Sequence, residues 1–148
     1  MNLTEKLKKL EQLEKLETLC FKNPWSLQAI KTALESEYSI VVFHDDGSKK
    51  EPQITGYALG TRIADECELH RICVLPEHRN RRIGELLLRE FIHKCKERNQ
   101  KKIFLEVASK NKAAIKLYER CGFKKIAVRE GYYGDDDGVC YWLGIGVK

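Results

Sequence analysis

The sequence predicts an α/β fold on a single mixed sheet, with one domain over residues 1–148. Three observations carry that expectation. Apolar residues recur at helical spacing up to about Leu34 and give way to short β-rich runs from Tyr38 onward. The later runs follow the order hairpin, strand, helix, strand, helix, strand, strand, the alternation expected of a sheet with crossovers. A chain of 148 residues, 43% apolar and 33% charged, supplies one core and leaves little for a second, and no linker or repeat divides it.

Leu7, Leu10, Leu13, Leu16 and Leu19 predict an amphipathic helix from about residue 4 to 21, with its Lys and Glu outside. Asn23-Pro24 interrupts the chain, Ser26 is placed as an N-cap, and Leu27, Ile30 and Leu34 mark a second, short helix. Tyr38–His44 and Ile54–Ile63 read as strands joined through a turn at Asp45-Asp46-Gly47-Ser48, which makes a hairpin. Glu66–Leu75 is a third strand, closed by Pro76. Ile83, Leu86, Leu87, Phe91, Ile92 and Cys95 give the apolar face of a helix, and Lys102–Val107 is the next strand. Asn111 can cap a helix running through Cys121, with Gly122 placed to end it. Lys124–Arg129 and Val139–Val147 are two late strands around a Gly/Asp turn.

A formal net charge of +5 favours an anionic partner without separating nucleic acid from the phosphates of a small ligand. The six cysteines contain no CxxC pair and fall mostly inside the expected elements. They read as buried thiols of a reducing cytosol rather than as a zinc site or a disulfide framework. The first twenty residues hold four glutamates and no uninterrupted apolar stretch, unlike a signal or transit peptide, and no window approaches transmembrane length. The expectation is a cytoplasmic protein with neither a membrane partner nor a metal.

After the strand ending at Leu75, a loop delivers Arg79, Asn80, Arg81 and Arg82 to the first turn of a helix. Helix N-termini carry about half a positive charge and unpaired N–H groups, which together suit phosphate oxygens. Gly84 would let a ligand approach the backbone closely. Taken alone, the stretch is equally readable as a solvated loop.

The segment Arg79-Asn80-Arg81-Arg82-Ile83-Gly84 resembles the R/Q-x-x-G-x-G/A motif of the GNAT acetyltransferases, with Arg82 in place of the first glycine. The run from Phe104 to Phe123, FLEVASKNKAAIKLYERCGF, resembles the family's second motif, nearest to its ribosomal-protein alanine N-acetyltransferase (RimI-type) branch. Phe21-Lys22-Asn23-Pro24-Trp25-Ser26 is similar to an aromatic-Pro-Trp-Ser entry in that branch. Arg129, Tyr132, Tyr133, Asp137 and Gly138 are similar to its R-x-x-Y-Y-x-x-x-D-G hairpin. The resemblance runs from about residue 13 to the end, and the family's usual first strand is short or missing.

The resemblance implies a GNAT fold, a mostly antiparallel mixed sheet flanked by helices on both faces, with acetyl-CoA as cosubstrate. It places Arg79, Asn80, Arg81, Arg82, Ile83, Gly84 and Glu85 at the pyrophosphate. Ile72, Cys73 and Val74 would offer main-chain groups to the pantetheine arm and thioester, where two parallel strands splay apart. Asn111 would touch CoA, although a helix cap is reason enough for it. Tyr118 would protonate the departing sulfur, since a phenol near pKa 10 is comparable to an alkyl thiol; it also reads as a packed helix aromatic. Glu106 would accept the amine proton, twelve residues before the tyrosine. Glu68 and His70 share a strand face and are the alternative base, a pattern matching other GNAT branches, while His70 reads equally as structural. Trp25, Tyr132 and Tyr133 would wall the acceptor cleft or merely pack at an edge. Asp135, Asp136 and Asp137 form a solvated turn or attract a cationic acceptor.

The expected activity is therefore acetylation of a primary amine, preferably the N-terminal α-amine of a protein such as a ribosomal one. Two rivals stand beside it: the same chemistry on a polyamine, amino sugar or other metabolite, and a non-catalytic module binding CoA or nucleic acid. Nucleic acid is disfavoured because no aromatics interleave Lys49, Lys50, Lys101 and Lys102. Oligomeric state is left open.

Overall fold

A computed structural model describes residues 2–146. Its strands are β1 (Ser39–Asp45), β2 (Ile54–Ile63), β3 (Glu66–Val74), β4 (Lys102–Ala108), β5 (Lys124–Arg129) and β6 (Gly138–Gly144). They form a six-stranded sheet in the order β1-β2-β3-β4-β6-β5. Every neighbouring pair is antiparallel except β3 with β4, as expected of a mixed sheet. The last strand ends at Gly144 rather than at Val147, which lies outside the described residues.

Helices cover both faces. On one, α3 (Ile83–Glu97) and α4 (Lys112–Arg120) pack over Ala58, Cys67, Leu69, Ile103, Leu105 and Val107. A Cβ on Gly60 would overlap the Phe91 ring, so the missing side chain lets α3 settle directly on β2. On the other face, α1 (Leu3–Cys20) and α2 (Leu27–Glu35) bury Leu13, Leu16 and Ile30 against Tyr57, Leu59 and Cys73. Ser26 caps α2 by accepting from Ala29 N at 3.1 Å, and Gly122, at φ 94°, follows α4 as the expected stop.

Two expected helix faces need correction. In α1, Leu13 and Leu16 are buried but Leu7 and Leu19 are about half exposed, and Glu17 is fully buried. A three-residue repeat falls behind the 3.6-residue turn by about 60° per step, so the five leucines sweep round the helix instead of lining one side. In α3 the sixth core position belongs to Leu88, while Leu86 is 57% exposed.

The feature that shapes the site is the partial pairing of β3. It meets β4 only from Glu66–Lys102 to Glu68–Phe104, after which the two parallel strands part. On its other side β3 stays paired to β2, but the register moves from Gly60–Leu69 to Leu59–Arg71, leaving His70 as an extra residue in a bulge. A bulge reverses side-chain parity. Cys67 and Leu69 join the α3 core, whereas Cys73 joins the α1 core.

Candidate active site

A cleft of about 700 Å³ lies where β3 and β4 separate. Its walls bring together most of the expected cofactor residues: Ile72, Cys73 and Val74 from β3, Arg79, Asn80, Arg82, Ile83, Gly84 and Glu85 from the loop and first turn of α3, and Asn111 and Tyr118 from α4 and its cap. Arg81 is not on this wall; it points to His78 Nδ1 at 3.4 Å. Trp25, Glu68, His70, Glu106, Tyr132 and Tyr133 also lie outside it.

The loop's geometry explains its composition. A 3-10 turn at Pro76–His78 redirects the chain, and Arg79 folds back so that its Nε donates to Val74 O at 3.0 Å. Asn80 and Arg82 are both left-handed, at φ 66° and 61°. The family's first glycine thus corresponds to a position where this backbone needs positive φ, and Arg82 adopts it at a cost of roughly 1 kcal/mol. Asn2, Ser26 and Asn111 cap α1, α2 and α4 with their side chains, but no side chain caps α3 among the described residues. Its first-turn N–H groups therefore remain available at the cleft. Glu85 gathers Arg89 at 3.3 Å and Arg120 at 3.1 Å, with Arg82 at 3.9 Å. Arg120, first, and then Arg89 hold its carboxyl below the usual range. Arg120 lines the cleft and was not singled out from the sequence; its i, i+35 relation to Glu85 leaves no local signal.

The Val74 carbonyl, expected to serve a ligand, is already occupied by Arg79 and by the Cys20 thiol, which donates at 3.4 Å. Cys20 itself lines the cleft, and hydrogen bonding from Cys73, against opposing burial and with help from Arg79, lowers its thiol to about 7.

Tyr118 is buried, with its ring 5.8 Å from Phe123 and 6.5 Å from Tyr141. Burial pushes its phenol well above the ordinary value, and Tyr133 pushes in the same direction. The near balance with a thiol expected from free-phenol chemistry does not hold for this side chain. The same burial makes a departing thiolate more basic, which moves the two back toward each other.

Glu106 faces away from the α3 core, since Leu105 and Val107 belong to that core. Its Oε2 lies 3.5 Å from Arg129 Nε, with the carboxylate mostly buried. A Cβ on Gly138 would overlap that oxygen and come within 3.1 Å of Tyr132 Cδ2, so this glycine leaves the space that the carboxylate occupies. Arg129 also lies over the Tyr132 ring at 5.2 Å, and Tyr132 and Tyr133 meet edge to face at 5.0 Å. Tyr133 is close enough to both Glu106 and Tyr118 for charge to be felt: burial and then Glu106 raise its phenol, and it in turn raises that of Tyr118.

The alternative pair is differently placed. His70 is exposed, bonded to Thr61 Oγ1 at 3.1 Å and tilted against Trp25 at 6.4 Å, and Glu68 is exposed on the same strand. The acidic turn is structured: Asp136 accepts from Ser109 Oγ and from Lys110 N at 3.1 Å, and Asp137 accepts from Gly131 N at 2.9 Å.

Comparison with known proteins agrees with this geometry. The Acetyltransferase (GNAT) family matches residues 6–123. The [Ribosomal protein bS18]-alanine N-acetyltransferase of Haemophilus influenzae is 30% identical over 128 residues, 86% of this chain and 84% of that protein. The crystal structure of the ribosomal-protein-S18-alanine N-acetyltransferase from Escherichia coli superposes with a TM-score of 0.84 at 25% identity, covering 100% of this chain and 92% of that one. Arabidopsis thaliana NAA60 in complex with acetyl-CoA shares the fold, with a TM-score of 0.82 at 17% identity over 93% of this chain and 94% of that one. Among the described residues no helix is long and apolar enough to cross a membrane.

Proposed function

The chain belongs to the GNAT acetyltransferase family, and from that premise we propose that it moves the acetyl group of acetyl-CoA to the N-terminal α-amine of a protein. The observation that carries the reading is the cleft at the β3–β4 parting, where unpaired strand and helix amides, three arginine-loop residues (Arg79, Asn80 and Arg82) and Tyr118 converge. Those residues fit an acyl-CoA: the uncapped α3 turn suits a pyrophosphate, and the unpaired edge of β3 suits an amide-bearing arm. Acetyl-CoA supplies the activated acyl group.

Around it the chain's own groups divide the work. Glu106 receives the proton of the attacking amine, directly or through water. Arg129, 3.5 Å away, orients that carboxylate, and Gly138 keeps its place open. Tyr118 returns a proton to the leaving sulfur. Trp25, Tyr132 and Tyr133 wall the acceptor side. Glu68 and His70 stand outside the proton path, His70 being committed to Thr61. The cation cluster on Glu85 attracts phosphate, and the acidic turn ends at Asp137, next to the Gly138 that lies against Glu106. We read residues 1–148 as one domain acting in the cytoplasm.

By likeness to relatives named for ribosomal protein bS18, the acceptor is the N-terminal alanine of a ribosomal protein. Incubating the protein with acetyl-CoA and a peptide carrying the bS18 N-terminus should release CoA and add one acetyl group, read by mass. Turnover with polyamines or amino sugars but not with peptide would move the acceptor to small amines. Undetectable acetyl-CoA binding would remove the reading altogether.

A further inference from the structure

Among the described residues, the most deeply buried charged side chain lies beside the cleft and has no part in the proposed chemistry. Glu17, on the last turn of α1, is 0% exposed. Its carboxylate accepts from Trp25 N at 2.7 Å, from Arg71 Nη2 at 2.9 Å and from the Tyr57 hydroxyl. Burying a carboxylate this far from water is costly unless a cation and donors surround it, as they do here. Arg71 makes a second tie. The same Nη2 donates to Asn23 O at 2.8 Å, and the guanidinium lies over Phe21 and Trp25, 4.1 and 5.0 Å from their ring centroids.

Arg71 reaches this cluster because of the bulge at His70. Without the register shift it would follow Cys67 and Leu69 toward α3; with it, Arg71 turns to α1 one residue before the cleft strand Ile72–Val74 begins. One carboxylate therefore joins three segments: the end of α1, the Phe21–Trp25 connection and the strand that lines the cleft.

We propose that Glu17 and Arg71 are positioning residues that clamp Phe21–Trp25 onto β3 and thereby set the acceptor wall. The proposal rests on the reading of Trp25 as part of that wall. Phe21 and Trp25 also pack against the core beneath α1, but the connection's hydrogen bonding has little else to hold it. Residues 22–25 pair with no strand, and their hydrogen bonds among the described residues, at Asn23 O and Trp25 N, both go to this cluster. The donor strand is held independently, because Ile72, Cys73 and Val74 pair with Ala58, Tyr57 and Gly56 of β2. Losing the clamp should thus loosen the acceptor side more than the donor side, whose cleft this connection meets only through Phe21.

The test combines hydrogen exchange with steady-state kinetics on Arg71→Met, Arg71→Lys and Tyr57→Phe. In Arg71→Met, amide exchange in residues 21–26 should rise by about tenfold or more while α1 up to Leu16 and β3 keep their protection. The KM for the peptide acceptor should rise about tenfold, with the KM for acetyl-CoA within about twofold of the unmodified protein. Arg71→Lys keeps the cation beside Glu17 but lacks the planar fork and the stacking, so it should recover part of the loss; if Arg71→Met does not fold, it decides the same comparison. Tyr57→Phe leaves both ties to the connection in place and should leave its exchange unchanged. Unaltered exchange in residues 21–26 of the folded Arg71 variant, or equal rises in both KM values, overturns the proposal. A loosened connection in a protein whose unmodified form transfers no acetyl group would keep the clamp and discard the acetyltransfer reading.

Discussion

The two sides of the proposed site are assembled from different materials. On the donor side, Ile72–Val74, residues 79–85 and Asn111 come from short contiguous stretches and meet the cleft mainly through backbone left unpaired by a strand parting and an uncapped helix. On the acceptor side, Glu106, Arg129, Tyr132, Gly138, Trp25, Glu17 and Arg71 come from separate elements and are held by side-chain contacts. The donor side therefore rests on local chain geometry and should tolerate single side-chain losses. The acceptor side depends on each contact, so single substitutions there should have the larger consequences.

The sharpest break in that comparison is Glu106→Gln. It keeps the shape of the side chain and removes its ability to take a proton, so turnover should fall by about 10² to 10⁴ while CoA affinity stays within about twofold. Glu68→Gln and His70→Ala should be mild beside it. Stopped or steady-state rates with calorimetric CoA affinities check this; a near-normal rate in Glu106→Gln with a collapsed one in Glu68→Gln or His70→Ala would transfer the base to β3.

Gly138→Ala tests the acceptor side without touching a reacting group. The added methyl would occupy the place of Glu106 Oε2 and press on Tyr132 Cδ2 at 3.1 Å. With Glu106 as the proposed base, displacing its carboxylate by about an ångström should lower kcat roughly 10- to 100-fold with acetyl-CoA affinity retained. A normal kcat in this variant would mean that the carboxylate needs no fixed position.

Charge removal on the donor side should do less. Arg79→Ala and Arg81→Ala are each expected to weaken CoA binding several-fold and to reduce its salt sensitivity, measured by calorimetry at two ionic strengths. Arg79 should have the larger effect, because its Nε bond to Val74 O also fixes the loop, whereas Arg81 is exposed and faces His78. Equal losses would show that only charge matters there.

The same contrast decides what could be read from the sequence. The order of elements along the chain, both late helices and the Ser26 and Asn111 caps are legible because spacing and turn chemistry are local, whereas the expected cofactor residues follow from the family resemblance. Glu17 was assigned to the outer surface of α1, since helical periodicity offers no sign that a carboxylate has a guanidinium waiting 54 residues away. Arg120 and the enclosure of Glu106 by Gly138 were invisible for the same reason. The bulge at His70 changes which face Arg71 presents, and a strand read by alternation alone puts it on the wrong side.

Arg82 is where the two kinds of reasoning meet, and Arg82→Gly is expected to move stability and binding in opposite directions. The residue sits at φ 61° and ψ 20°, a conformation that costs an L side chain roughly 1 kcal/mol and costs glycine nothing. Glycine loses more freedom on folding, which reduces the gain, so the variant should be stabilised by about 0.5 kcal/mol. Little is lost with the side chain, because its 3.9 Å contact with Glu85 is made by a guanidinium that is 79% exposed, and such pairs contribute almost nothing in water. CoA binding should respond the other way. Removing one of the cations at the mouth of the cleft should weaken it about two- to fivefold at low salt, with the difference shrinking as salt screens the charge. Thermal melts with and without CoA, beside calorimetry at two ionic strengths, measure both terms. A raised melting point with weaker, less salt-sensitive binding means the arginine contributes charge at the expense of backbone ease. Tighter CoA binding by the glycine variant would mean instead that the side chain obstructs the amide cradle, and that the donor side works through its backbone alone.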